Sequence, residues 1–134
     1  MDLTELLASM PFAVASGVSL RSATPTEVVG ALDWDPQRCT AGGVLHGGAL
    51  MTLADSVGAV CAFLNLPAGA GTSTLASSTS LLRAVRSGTV LATARPLSAG
   101  RTVIVVQTEL REDTGRLVAQ TTQTQAVLRA PADR

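Results

Sequence analysis

The chain has 134 residues, enough for one domain with its own core, and at 46% hydrophobic and 15% charged it reads as globular, not disordered. Ten arginines balance ten acidic side chains, and Phe12, Trp34 and Phe63 are the only aromatics. That pattern excludes the basic stripe of a nucleic-acid partner and the stacking platforms of a single-strand binder, and it leaves Val, Leu and Ala to build the core.

In chain order, Asp2 and Glu5 form the pattern of a capping box ahead of Leu6, Leu7 and Met10. A short helix over 2–10 follows, stopped by Pro11. Residues 17–34 have strand composition, broken by a turn near "TPT". The segment 47–64 is a continuous run of Ala, Leu, Met and Val, too long for a strand, and predicts one helix. Apolar residues lie all round it, so other structure should wrap it. "NLPAGAGTS" reads as a mobile loop. Beyond it come four strands in meander, separated by "RSG", "SAG" and "DTG". In the last of these, "RLVAQTTQTQAVLRA", Thr and Gln should form a polar face turned to water or to a wet subunit contact. The chain end, 130–134, with its "PADR", reads as a frayed tail. The whole, 1–134, is expected to be a single α+β domain, one long helix wrapped by a curved antiparallel sheet.

Cys39 and Cys61 match no zinc spacing, and a single histidine cannot complete a histidine-rich metal site. A disulfide stays open, with two reduced thiols as the expectation. The N-terminus carries acids where a signal peptide carries bases, and Asp55 breaks the only apolar run approaching bilayer length. The expectation is therefore a soluble, cytoplasmic protein without metal, nucleic-acid or membrane partners.

The segment "GGVLHGGALMTLAD" carries the chemistry. A carboxylate on an apolar helix is costly unless it is paired or functional. Asp55 is either a structural aspartate paired to an arginine or a backbone amide, or a base or nucleophile. Gly47 and Gly48 open the helix, where backbone amides lack partners and carry partial positive charge. They form either a tight turn or a donor site for a developing oxyanion. His46 holds that turn or orients a substrate carbonyl. Ala49, Ala54, Ala59 and Ala62 serve close packing or leave room for a ligand.

Gly43, His46, Gly47, Gly48 and Asp55, in the spacing G-x-x-H-G-G-x6-D, resemble the active-site segment of the hotdog-fold acyl-CoA thioesterases. The similarity is to the branch holding the phenylacetate-pathway and one type of 4-hydroxybenzoyl-CoA thioesterase. "SLLRAVRSG" and "AGRTVIVVQTEL" extend it over roughly residues 30–128. Thr40, Ala59 and Ala84 stand where that branch has Asn or Gln, Ser or Thr, and Pro. The resemblance implies hydrolysis of an acyl-CoA or acyl-carrier-protein thioester, with an aromatic or medium-chain acyl group among the substrates it allows. Coenzyme A enters as part of the substrate, and no separate cofactor is expected. Asp55 would be nucleophile or general base, and the Gly47 amide would polarise the carbonyl. Thr40, Gly48 and Ala59 would line the substrate, while Arg83, Arg86 and Arg101 are candidates for the coenzyme phosphates. The alternative is a non-catalytic acyl-CoA-binding or assembly module of the same fold. Gly47 and Asp55 are eight residues apart, about 12 Å along a helix. One chain cannot easily present both to one thioester, so a homodimer with a shared site is expected, pairing further into a homotetramer through the polar sheet face.

Overall fold

The computed structural model describes residues 1–129; the expected tail, 130–134, lies outside them. The chain begins with two short helices, α1 (Leu3–Ala8) and α2 (Pro11–Ala15). The capping box is present in full, with Asp2 accepting from the Glu5 amide at 2.9 Å and Glu5 accepting from the Asp2 amide at 3.1 Å. Pro11 does not simply end a helix. It occupies the first turn of α2, where its missing N–H costs nothing.

Strands β1 (Ser19–Thr24) and β2 (Glu27–Asp33) form a hairpin. A 3-10 turn at Pro36–Arg38 leads to α3 (Gly47–Leu64), followed by β3 (Gly71–Leu81), β4 (Thr89–Ala99), β5 (Val103–Arg111) and β6 (Leu117–Leu128). The sheet order is β1-β2-β4-β5-β6-β3, with every recorded pairing antiparallel. The expected four-strand meander is thus corrected to three strands. β4, β5 and β6 are consecutive, but β3 pairs with β6 at one edge and β2 pairs with β4. Propensity and turn residues mark strands and their ends, not which strand a chain returns to after a helix.

The sheet curves around α3. Leu53, Ala54, Val57 and Cys61 are wholly buried against Val28, Val90, Ile104 and Leu110. Each such leucine contributes about 1.5–3 kcal/mol by leaving water. The helix is not wrapped all round, however. Met51, Asp55 and Phe63 lie on a stripe that stays exposed in the single chain. α3 is long and apolar enough by composition to cross a membrane, with a mean hydropathy of 1.6, so Asp55 does not remove it from that class; half of it is buried in the fold.

Gly47 sits beside Leu81, Asp55 shares a groove with Ser77, and Phe63 shares one with Thr72. The helix and β3 therefore run side by side in opposite directions. β3, eleven residues long, is one of the sheet's two edge strands and is exposed along nearly all its length.

The face of β6 also differs from expectation. Thr121, Gln123 and Gln125 point inward, fully or almost fully buried, while Thr122 is exposed. Both parities of "VAQTTQTQAV" mix small and polar residues, so alternation does not specify which face turns in. Two of these buried polar groups, Gln125 and Thr121, find partners on β3. Gln125 donates to Thr74 Oγ1 at 2.8 Å and accepts from Thr72 Oγ1 at 3.1 Å, and the Thr79 and Thr121 hydroxyls lie 2.8 Å apart.

Candidate active site

The loop before α3 is folded back on itself by two consecutive glycines, Gly42 and Gly43, with φ of 85° and 73°. Residues with side chains rarely adopt that conformation. Trp34 pins the loop by donating from Nε1 to the Gly43 carbonyl at 3.0 Å, and Arg86 donates to the Gly42 carbonyl at 3.3 Å. The Leu45 amide bonds the Val85 carbonyl and the His46 amide bonds the Arg38 carbonyl, each at 2.9 Å. These bonds fix where α3 begins.

His46 is the N-cap. Its Nδ1 accepts from the Gly48 amide at 2.8 Å, so that nitrogen is unprotonated and the ring proton is on Nε2. The Ala49 and Leu50 amides both point at the His46 carbonyl, at 2.9 and 3.2 Å. Only the Gly47 amide at this helix end has no acceptor among the described residues. Of the two glycines, Gly48 is committed to the cap and Gly47 is free to donate to a ligand.

Gly47 opens on a groove of about 330 Å³ together with Thr40, Leu81 and Arg83. Thr40 holds the loop through its backbone amide, which bonds the Val44 carbonyl at 2.8 Å, and its exposed side chain faces the same groove. Asp55 opens elsewhere. Its groove, about 550 Å³, lies between α3 and the N-terminal helices and is lined by Met10, Phe12, Met51, Ala59 and Ser77. His46 and Gly48 face a third and more polar depression with Arg38 and Gln37. Arg101 lies in the β4–β5 turn, at the end of the sheet away from Gly47 and Arg83. One chain thus brings Thr40, Gly47 and Arg83 together, and Asp55 with Ala59, but does not bring the two groups to one place.

Asp55 is exposed in the single chain, yet the protein packed around it raises its carboxyl above the ordinary carboxylate value, through desolvation of the charged form. None of the ion pairs among the described residues involves Asp55. Among the described residues its one side-chain hydrogen-bond partner is Gln123, whose Nε2 lies 3.5 Å from Oδ1. Neighbouring hydroxyls are occupied: Thr52 donates to the Gly48 carbonyl at 2.8 Å and Ser56 to the Thr52 carbonyl at 2.7 Å. Cys61 is no competing nucleophile, because burial pushes its thiol up to about 11, and both cysteines are free. An ionised carboxylate without a cation, beside an apolar groove, suits proton abstraction or direct attack on an acyl carbon.

Sequence reading missed Gln123 and the N-terminal residues Met10 and Phe12 that roof the Asp55 groove. The first is hidden by the ambiguous parity of β6. The second pair joins the site only through tertiary packing, and no local pattern announces it.

Residues 42–119 match the family model described as Thioesterase superfamily. A Vibrio cholerae protein provisionally named an esterase is 39% identical over 88 residues, 66% of this chain and 59% of that protein. The 1,4-dihydroxy-2-naphthoyl-CoA hydrolase of Escherichia coli is 34% identical over 86 residues, 64% of this chain and 63% of the enzyme. The chain thus spans about three fifths of the length of these relatives. The crystal structure of a Haemophilus influenzae thioesterase superposes with a TM-score of 0.90 at 28% identity, covering 96% of this chain and 92% of that one. That neighbour has the same architecture of one helix clasped by an antiparallel sheet, the hotdog fold. With more than half its length inside the matched region, the chain belongs to the thioesterase superfamily.

Proposed function

We propose that the protein is an acyl-CoA thioesterase whose active site is shared between two chains. The observation that carries this reading is the separation within one chain: the only free amide at the start of α3 and the only carboxylate on that helix open on different grooves. Met51 lies four residues from each of them on α3, and Thr79 lies midway between their neighbours Leu81 and Ser77 on β3. A two-fold axis at that level sets Gly47 of one chain opposite Asp55 of the other. Such an axis also pairs the exposed β3 edges, a long unpaired strand being a template for another copy.

In the shared site the thioester carbonyl accepts from the Gly47 amide. Asp55 takes a proton from water as its oxygen bonds to the acyl carbon. The C–S bond then breaks, the thiolate leaves and takes up a proton, and the free acid remains. Alternatively Asp55 attacks the acyl carbon and expels the thiolate, which takes up a proton; water then opens the anhydride to the free acid and the Asp55 carboxylate. Both routes gather charge on the oxygen facing Gly47. The lining of the Asp55 groove by Met10, Phe12, Met51 and Ala59 favours an apolar acyl group, aromatic or medium-chain, and the name of the E. coli relative supports a coenzyme A ester. Arg83 supplies a cation within the Gly47 groove; Arg101, in the β4–β5 turn away from Gly47, would serve a bound coenzyme only from the partner chain.

The test is release of free thiol from a panel of aromatic, short and long acyl-CoA and carrier-protein thioesters. The expected result is hydrolysis of at least one aromatic or medium-chain ester, with kcat/KM falling toward acid. The midpoint of that fall should lie above the ~3.9 of an ordinary aspartate, because burial raises Asp55. No thiol release from any ester, with binding retained, would favour the non-catalytic module instead. Activity undiminished down to pH 4 would exclude the desolvated carboxylate as the base.

A further inference from the structure

Gln123 is a glutamine buried beneath α3, and the chemistry above makes no use of it. It is wholly buried on the inner face of β6. Its Nε2 points at Asp55 Oδ1, 3.5 Å away, and its Oε1 is buried with no hydrogen-bond partner. Room for the amide comes from Gly58, one turn beyond Asp55 on the same helix face; a Cβ there would overlap Oε1. An amide that leaves its carbonyl unpaired in the core loses about 1–3 kcal/mol, so this orientation needs a reason. The reversed amide would aim its oxygen at the Asp55 carboxylate. Asp55 Oδ2 has no partner among the described residues.

Resting on the thioesterase reading, we infer that Gln123 is a positioning residue for Asp55: its amide N–H holds Oδ1 and so aims Oδ2 at the attacking water or the acyl carbon. The 3.5 Å contact is long for a hydrogen bond, as catalytic contacts often are before substrate binds. Gly58 belongs to the same device, since any larger residue displaces the amide. The sheet thereby reaches through the helix layer to orient a carboxylate that no arginine among the described residues holds.

The substitution Gln123→Met keeps length and flexibility, removes the donor, and also removes the orphaned carbonyl. Its thermal stability should equal or exceed that of the parent, whereas a merely structural glutamine would lower it. On the best ester kcat should fall about tenfold with KM little changed, the pattern of an interaction that matters in the transition state. Loss of a donor to the charged form should also move the acid limb of the pH–rate profile upward. The deciding readout does not need activity. Carboxyl ¹³C resonances of the whole protein are titrated, Asp55 being assigned by its absence in Asp55→Asn, and the Asp55 midpoint should rise in Gln123→Met. Substituting Gln123→Glu, which sets a second carboxylate beside the first, should raise it further. An Asp55 titration unmoved in both variants overturns the proposal, as does a moved titration with kcat unaltered in an active enzyme. A parent protein that hydrolyses nothing overturns the thioesterase reading instead, and the titration still decides whether Gln123 governs Asp55.

Discussion

Replacing Asp55 by Asn should abolish nearly all thioester hydrolysis, by about two orders of magnitude or more in kcat, while leaving the fold intact. Asn matches Asp in size, so the groove beneath Met10 and Phe12 keeps its shape. It lacks the charge that extracts a proton or attacks a carbonyl. Stability should move the other way. Burial raises the Asp55 carboxyl, so the folded state prefers the protonated form. The stability linked to that proton is present below the unfolded pKa and is lost as pH rises through the folded one. At neutral pH the carboxylate therefore costs the fold something, and Asp55→Asn should melt no lower than the parent. Gain of stability with loss of activity marks a residue held against its own folding preference. A folded Asn variant with near-parental rate would remove Asp55 from catalysis.

Gly47→Pro should cost about 10²–10³ in kcat with the helix unharmed, because it deletes one N–H at a place built to tolerate proline. Gly47 is the first residue of α3, where the amide has no intrahelical partner. The residue before a proline must be extended, and His46 already is, with φ −60° and ψ 135°. An added Cβ there meets only the Leu81 methyl within 4 Å, on an exposed side chain that can turn away. Circular dichroism and melting temperature should stay near the parent while hydrolysis falls. Unaltered hydrolysis would show that the Gly47 amide does not face the carbonyl.

How far the sequence discloses this arrangement depends on the kind of constraint. The bounds of α3 are legible because His46 and the two glycines mark a start and a continuous apolar run fills the rest. Strand positions are legible from turn residues, as at the β5–β6 turn that holds Gly115 at φ 88°. The place of β3 is not legible, because pairing it with β6 rather than β4 is a tertiary choice. The inward turn of Gln123 and Gln125 is hidden for a different reason: neither parity of β6 is clearly apolar, so register is set by partners on β3 and α3. The motif itself shows which residues to watch. It does not show that His46 consumes the Gly48 amide and leaves Gly47's free.

The central claim is that one site draws on two chains, and complementation tests it most directly. Gly47→Pro and Asp55→Asn chains, each inactive alone, carry different affinity tags and are unfolded and refolded together in equal amounts. A mixed dimer holds one doubly damaged site and one intact site, formed by Gly47 of the Asp55→Asn chain and Asp55 of the Gly47→Pro chain. Random pairing makes half the dimers mixed, so about a quarter of parental activity should return, and it should co-purify through both tags. If tagged mixed dimers form and their activity stays at the level of the separate variants, the site is not shared and the account of Gly47 and Asp55 is wrong.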